Sequence, residues 1–223
     1  MSELEIVALV PMRHHSQRVP GKNYRLLNGR PLYAYILDSL LQSGAVSRIV
    51  VDTDSPEIRR GIGEAFPEVT LLDRPPELRD GSISMNRVLL HDAAAIPAPF
   101  YLQTHSTNPL LSAGSIAAAV RAFRQALPQH DSLFSVTRWQ KRLWDAAGNP
   151  VNHDPAVLLN TQDLPPVYEE NSCLYLFERE GFLRRKNRIG EHPLLFEIPA
   201  REALDIDDEE EFRLVEGLLA GRG

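Results

Sequence analysis

The sequence predicts an α/β protein of three layers, in which a mostly parallel sheet is covered by helices on both faces. Short, near-continuous apolar runs alternate with longer amphipathic stretches from residue 4 to about 137, the rhythm of buried parallel strands joined by crossover helices. The side chains able to do chemistry sit directly after those apolar runs, and open parallel sheets bind ligands beyond the carboxyl ends of their strands. A length of 223 residues at 43% hydrophobic and 24% charged predicts one domain over 1–223, with no internal repeat or low-complexity linker to divide it.

Leu4 to Pro11 reads as the first strand, and a polar loop follows it through Asn23. A helix from about Leu32 to Gln42 leads to a strand at Ser47 to Asp52 and a helix at Pro56 to Ala65. Val69 to Leu72 is a short strand, Ser84 to Ala95 a helix and Phe100 to Gln103 a strand. The alanine-rich stretch Ala113 to Ala126 is a helix, and Ser132 to Thr137 a fifth strand. Residues 138–170 carry two tryptophans and several prolines without sustained periodicity, which predicts an active-site lid or an oligomerisation arm. Strand character returns at Ser172 to Phe177 and Leu195 to Ile198, and Asp208 to Leu219 closes the chain as a helix.

A net charge of -6 with no basic block beyond Arg184-Arg185-Lys186 excludes a general nucleic-acid binder. A single cysteine, Cys173, excludes an internal disulfide and reads as a buried core residue. No apolar run approaches a membrane span, and the first residues lack the basic and apolar regions of a secretion signal, so a cytoplasmic protein is expected.

The loop after the first strand, Pro11-Met-Arg-His-His-Ser-Gln-Arg-Val-Pro-Gly-Lys-Asn23, brings Arg13, Arg18 and Lys22 together with small residues. That combination suits phosphate oxygens, which need cationic donors and close backbone N–H groups; a solvated basic loop with a Pro-Gly turn has the same composition. It is neither a P-loop nor a Gly-rich dinucleotide fingerprint, which excludes a dinucleotide-dependent oxidoreductase. Asp52-Thr-Asp-Ser55 and Arg74-Pro-Pro-Glu-Leu78 with Asp80, Ser82 and Ser84 read either as caps of following helices or as ligand loops. Gln103, ending an apolar strand, needs polar partners. Asp205 and Asp207 alternate before the last helix, so an extended backbone would turn both carboxylates to one side, where a cation would relieve their repulsion. Capping of the last helix by Asp207 or Asp208 is the competing reading.

In order and position these segments resemble the CMP-sialic acid synthetase (acylneuraminate cytidylyltransferase) family and the related CMP-octulosonate synthetases. The family's signature, Pro-Ala-Arg-x-Gly-Ser-Lys-Arg-x-Pro-x-Lys-Asn, is matched at Pro11, Arg13, Ser16, Arg18, Pro20, Lys22 and Asn23. Asn28-Gly-Arg-Pro-Leu32 is similar to its Gly-x-Pro-Leu, Asp52 to Ser55 to its Ser-Thr-Asp-Ser, and Leu102-Gln-Thr-His-Ser-Thr-Asn-Pro-Leu110 to its Leu-Gln-Pro-Thr-Ser-Pro-Leu. The resemblance covers about 200 residues and implies a Rossmann-like nucleotide-diphospho-sugar transferase fold with a dimerisation arm. It further implies transfer of CMP from CTP to a nonulosonic (sialic-acid-like) keto-sugar acid, with release of pyrophosphate, by a homodimer. By that resemblance Pro11, Met12, Arg13, Ser16, Arg18, Lys22 and Asn23 hold CTP, Arg74, Ser82 and Ser84 contact cytosine and ribose, and Gln103 borders the nucleotide and the sugar. Arg13, Lys22 and Asp207 are the implied catalytic groups, with magnesium (Mg2+) on Asp205 and Asp207. Lys141, Gln162, Asn171 and Tyr175, together with Gln103, are the implied sugar contacts.

Two departures qualify the match. Gln17 replaces a lysine of the signature and His15 a glycine, so one phosphate cation is missing. Where the sialate enzymes supply arginines for the sugar carboxylate, this chain has Thr161 and Glu169, with Glu170 beside them. An amino-bearing or otherwise unusual relative of sialic acid fits that acidic pair. The alternatives are a CMP-octulosonate synthetase and a catalytically weak nucleotide-binding homologue.

Overall fold

The computed structural model describes residues 4–221. A seven-stranded sheet is built from β1 (Ile6–Leu9), β4 (Arg48–Thr53), β5 (Thr70–Asp73), β6 (Phe100–Thr104), β7 (Ser132–Trp139), β8 (Val167–Glu178) and β9 (Pro193–Glu197). The short strands β2 (Leu26–Leu27) and β3 (Arg30–Pro31) form a separate hairpin. The helices are α1 (Leu32–Ser43), α2 (Pro56–Ala65), α3 (Met85–Ala95), α4 (Ala113–Ala126), α5 (Arg179–Arg185) and α6 (Glu209–Ala220).

Across the sheet the order is β5-β4-β1-β6-β8-β7-β9. All neighbours are parallel except the two pairings of β8, which runs against both β6 and β7. The chain moves outward from β1 through β4 to β5, then returns to place β6 on the other side of β1. The carboxyl ends of β1 and β6 therefore flank a point where the winding reverses, and loops leaving it in opposite directions open a crevice.

The pleat sorts the β1 side chains between the two helical layers. Ile6, Ala8 and Val10 join α1, α2 and α4 through Ile36, Leu37, Ile58, Ile62, Ile116, Val120 and Phe123. Val7 and Leu9 join α3 and α5 through Leu89, Ala93 and Phe182. Both faces are covered, as the unbroken apolar runs predict. Helix boundaries follow local chemistry: Ser55 Oγ accepts from Ile58 N–H ahead of α2, with Pro56 at the first helical position, and Gly44, at φ 58°, ends α1 in the left-handed conformation. Asp208 caps α6 in a reciprocal box with Glu211, which settles the capping alternative and leaves Asp205 and Asp207 outside the helix.

The irregular stretch is shorter than the expected 138–170. Arg138 and Trp139 extend β7, and Val167 to Glu170 pair antiparallel with Val136 to Trp139, so the arm proper is 140–166. Long-range pairing made these strand ends, and nothing local to Tyr168-Glu-Glu170 announces it. Among the described residues no helix is long and apolar enough to cross a membrane.

Candidate active site

At the carboxyl ends of β1 and β6 lies a cavity of about 250 Å³. Five of the sequence-predicted residues line it beside Pro11: Arg13, Ser16, Lys22, Asn23 and Arg74. His105, Ser106 and Thr107, after β6, complete one wall, and Asp80 and Gly81 another. Asn23 holds the loop to β6: its amide donates to the Arg13 carbonyl at 2.7 Å and its Oδ1 accepts from Ser106 Oγ at 2.8 Å. Gly21, at φ 66°, takes the left-handed turn that brings Lys22 inward, a conformation that favours glycine. The Arg13 guanidinium packs so closely on Gly81 that a Cβ there would meet Nη1 at 2.5 Å.

Lys22 Nζ donates to the Ile206 carbonyl and lies 3.5 Å from Asp207, tying the first loop to the segment before α6. Arg18 is exposed, lies outside the cavity wall and pairs with Asp207 at 2.7 Å. Burial, then the neighbouring Asp207 charge, raises the Asp205 carboxyl above its usual range, and its Oδ1 is buried without a partner. The two carboxylates feel each other's charge, and the orphaned Asp205 oxygen is of the kind a hard divalent cation takes.

Arg74 is held from behind. Its Nε donates to Asp52 in a pair with both side chains almost fully buried, and Asp92 and His91 of α3 complete the cluster. Ligating atoms of Asp52, His91 and Asp92 lie within 4.8 Å of one another. Two buried carboxylates face one guanidinium, and Asp52 Oδ2, Asp92 Oδ2 and Arg74 Nη2 have no partner. Burial first and the Asp52 charge second push the Asp92 carboxyl up to about 9, so it holds a proton.

On the other side of β6, Gln103 and Tyr175 are register partners on β6 and β8. Gln103 is fully buried; its amide donates to the Thr104 carbonyl at 3.1 Å and faces His105 Nε2 at 2.9 Å, while its Oε1 accepts from Arg188. Burial, reinforced by Arg188 and Lys22, drives the His105 imidazole down to about 3, which keeps it neutral. Tyr175 O–H donates to Glu170 at 2.5 Å, and Trp139 Nε1 donates to Glu169 at 2.7 Å, so each member of the acidic pair has a partner.

Other predicted residues stand elsewhere. The Met12 side chain is fully buried, in the core cluster that packs α1, α2 and α4 on the sheet, and does not line the cavity. Ser82 is exposed and bonds Asp80, and exposed Ser84 precedes α3; neither lines the cavity. Asn171 serves the β7–β8 bulge, accepting from Ser135 Oγ at 2.5 Å and donating to Thr137 Oγ1 at 3.1 Å. Lys141 and Gln162 lie on the exposed arm, where the Lys141 ammonium sits 4.3 Å from the Trp139 ring centre. His105, Asp92 and Arg188 were missed from the sequence. Only an adjacent polar strand end marked His105, and no local pattern marked the other two.

Residues 7–220 match the family model described as Cytidylyltransferase. An Escherichia coli N-acylneuraminate cytidylyltransferase is 27% identical over 94% of this chain, which spans 51% of that relative's length. A CMP-N,N'-diacetyllegionaminic acid synthase of Legionella pneumophila is 28% identical over 97% of both chains. A solved CMP:2-keto-3-deoxy-manno-octonic acid synthetase in complex with CTP superposes with a TM-score of 0.73 at 15% identity, covering 98% of this chain and 100% of that one. At that identity the likeness establishes the fold.

Proposed function

The chain belongs to the cytidylyltransferase family, and from that membership we propose that it joins CMP, drawn from CTP, to a nonulosonic keto-sugar acid and releases pyrophosphate. The observation that carries the reading is the convergence of Arg13, Ser16, Lys22, Asn23 and Arg74, from separate loops, on one cavity whose Lys22 also reaches Asp207. The relatives named for N-acylneuraminate and for N,N'-diacetyllegionaminic acid support a nine-carbon acceptor over the eight-carbon one.

In this reading the triphosphate enters between the first loop and Arg74. Arg13 and Lys22 meet its negative charge, and Ser16 and the loop N–H groups approach its oxygens. Lys22 then exchanges its contact with Asp207 for a phosphate. The anomeric hydroxyl of the acceptor attacks the α-phosphorus in line, and pyrophosphate leaves as charge spreads over oxygens that these cations already face. Asp205 and Asp207 would hold magnesium, which supplies further charge neutralisation and oxygen positioning when bound. No side-chain nucleophile takes part: Cys173 is buried and its thiol is pushed far up by burial.

The acceptor would lie toward Gln103 and Tyr175. The arm exposes Trp144, Val157 and Leu158, the last at 89%, and this apolar surface supports a homodimer closed over that side. The test is pyrophosphate release with magnesium, crossing the four nucleoside triphosphates with eight- and nine-carbon keto-sugar acids. Release with CTP and a nine-carbon acid is expected. CTP binding without release across the panel would favour a non-catalytic homologue, and absence of CTP binding would overturn the nucleotide site.

A further inference from the structure

Arg188 follows α5, just after Lys186, which turns the chain at φ 56°. Its guanidinium carbon lies 3.5 Å from the centre of the Tyr175 ring, Nη1 donates to Gln103 Oε1, and its backbone N–H donates to Asn86 Oδ1 at 3.2 Å. Two contacts hold the side chain and the third its backbone; the guanidinium is largely withdrawn from water, and burial lowers its pKa from the ordinary arginine value. It remains a cation.

Among the described residues, no carboxylate lies within 4 Å of it. Arg18 and Lys22 have Asp207, Arg74 has Asp52, and Arg185 has Asp131. Glu170 feels the Arg188 charge from beyond that distance and accepts from the Tyr175 hydroxyl, which orients the carboxylate without cancelling its charge. A guanidinium withdrawn from water with no carboxylate in direct contact is costly, and a ligand anion recovers part of that cost. Stacking on the ring fixes the plane of the fork. With Nη1 given to Gln103, the Nε–Nη2 edge is left in the geometry that grips a carboxylate at two points.

The place of this cation matters as much as its lack of a partner. Gln103 touches both Arg188 and His105, and His105 lines the nucleotide cavity. Arg188 therefore stands two hydrogen-bonding side chains from the cavity, on the β8 side of β6. An acceptor presenting a hydroxyl toward the cavity would direct its acid group away from the triphosphate, whose charge repels it.

We propose that Arg188 receives the carboxylate of the acceptor acid and so selects keto-sugar acids over neutral sugars, an inference that rests on the acceptor being an acid. Arg188→Gln keeps a polar side chain but removes the charge, and Arg188→Lys keeps the charge without the fork. Pyrophosphate release by the full chain, with CTP and the acid that the wild type uses, should show a KM for the acid at least tenfold higher in Arg188→Gln. The KM for CTP should stay within twofold, and Arg188→Lys should fall between the two. Calorimetric titration of the same acid and its carboxamide, with a non-hydrolysable CTP analogue bound, should show a wild-type preference for the carboxylate that Arg188→Gln loses. An unchanged acid KM, an equal rise in both KM values, or an undiminished carboxylate preference would overturn the assignment. Wild-type silence with every acid would instead remove the acceptor reading itself, before any variant is compared.

Discussion

Replacing Asp92 by asparagine should change how stability depends on pH, and the buried cluster behind Arg74 fixes the sign. Asp52 and Asp92 are 1% and 0% exposed, and one guanidinium, paired with Asp52, serves them both. A proton on Asp92 supplies an O–H that can reach Asp52 Oδ2, giving both orphaned oxygens a partner and leaving Asp52 free to hold Arg74. The folded chain keeps that proton up to about 9, whereas an exposed aspartate releases it near 3.8. Between those values the folded state binds one more proton than the unfolded state, so this group makes stability fall as pH rises, by up to about 1.4 kcal/mol per pH unit. An asparagine in its place cannot titrate but still offers an N–H donor to Asp52. The stability of Asp92→Asn relative to wild type should therefore rise by roughly 2–3 kcal/mol between pH 5 and pH 7. Urea unfolding of both proteins at four pH values from 5 to 8 measures it, because contributions of the other carboxylates cancel in the difference. Parallel curves would refute the shared proton. A variant that loses ground as pH rises would show Asp92 ionised and paired with a cation, either protonated His91 or a metal held by Asp52, His91 and Asp92.

Asp207→Ala should leave the fold intact and lower kcat for pyrophosphate release by about 10²–10³-fold, the scale of losing one preorganised electrostatic group at a charged transition state. Circular dichroism melting run beside the assay would expose a structural cause. Gly81→Ala brings a methyl group to 2.5 Å from Arg13 Nη1, the movable end of a long side chain, so the KM for CTP should rise severalfold with little change in melting temperature. Ser55→Ala removes the cap of α2 and should cost about 1 kcal/mol in urea unfolding while sparing catalysis.

What the sequence made legible follows the range over which each structural cause acts. The strands β1, β4 and β6 show as local apolar runs, because a strand buried on both faces is apolar up to its carboxyl end, where β4 and β6 turn polar at Asp52 and Gln103. The caps at Ser55 and Asp208 likewise act within three residues. The loop from Pro11 to Asn23 is legible because one continuous segment carries Arg13, Ser16, Lys22 and Asn23 to the cavity.

The acceptor side has no such segment. Gln103 comes from β6, Tyr175 from β8 and Arg188 from the turn after α5, and antiparallel pairing of β8 with β6 brings them together. Read along the chain, the acidic stretch Glu169-Glu170 would repel an acid, because its neighbours Trp139, Tyr175 and the Arg188 cation are invisible there. In three dimensions those partners orient both carboxylates, and a guanidinium with no carboxylate in direct contact stands on the ring of one of them. The charge on this side of the site is therefore set by a cation brought beside Glu170 from another element, and that placement is a property of the fold. Behind Arg74, likewise, Asp52 and Asp92 come from different elements, β4 and α3, and share one cation only once the sheet has brought them together.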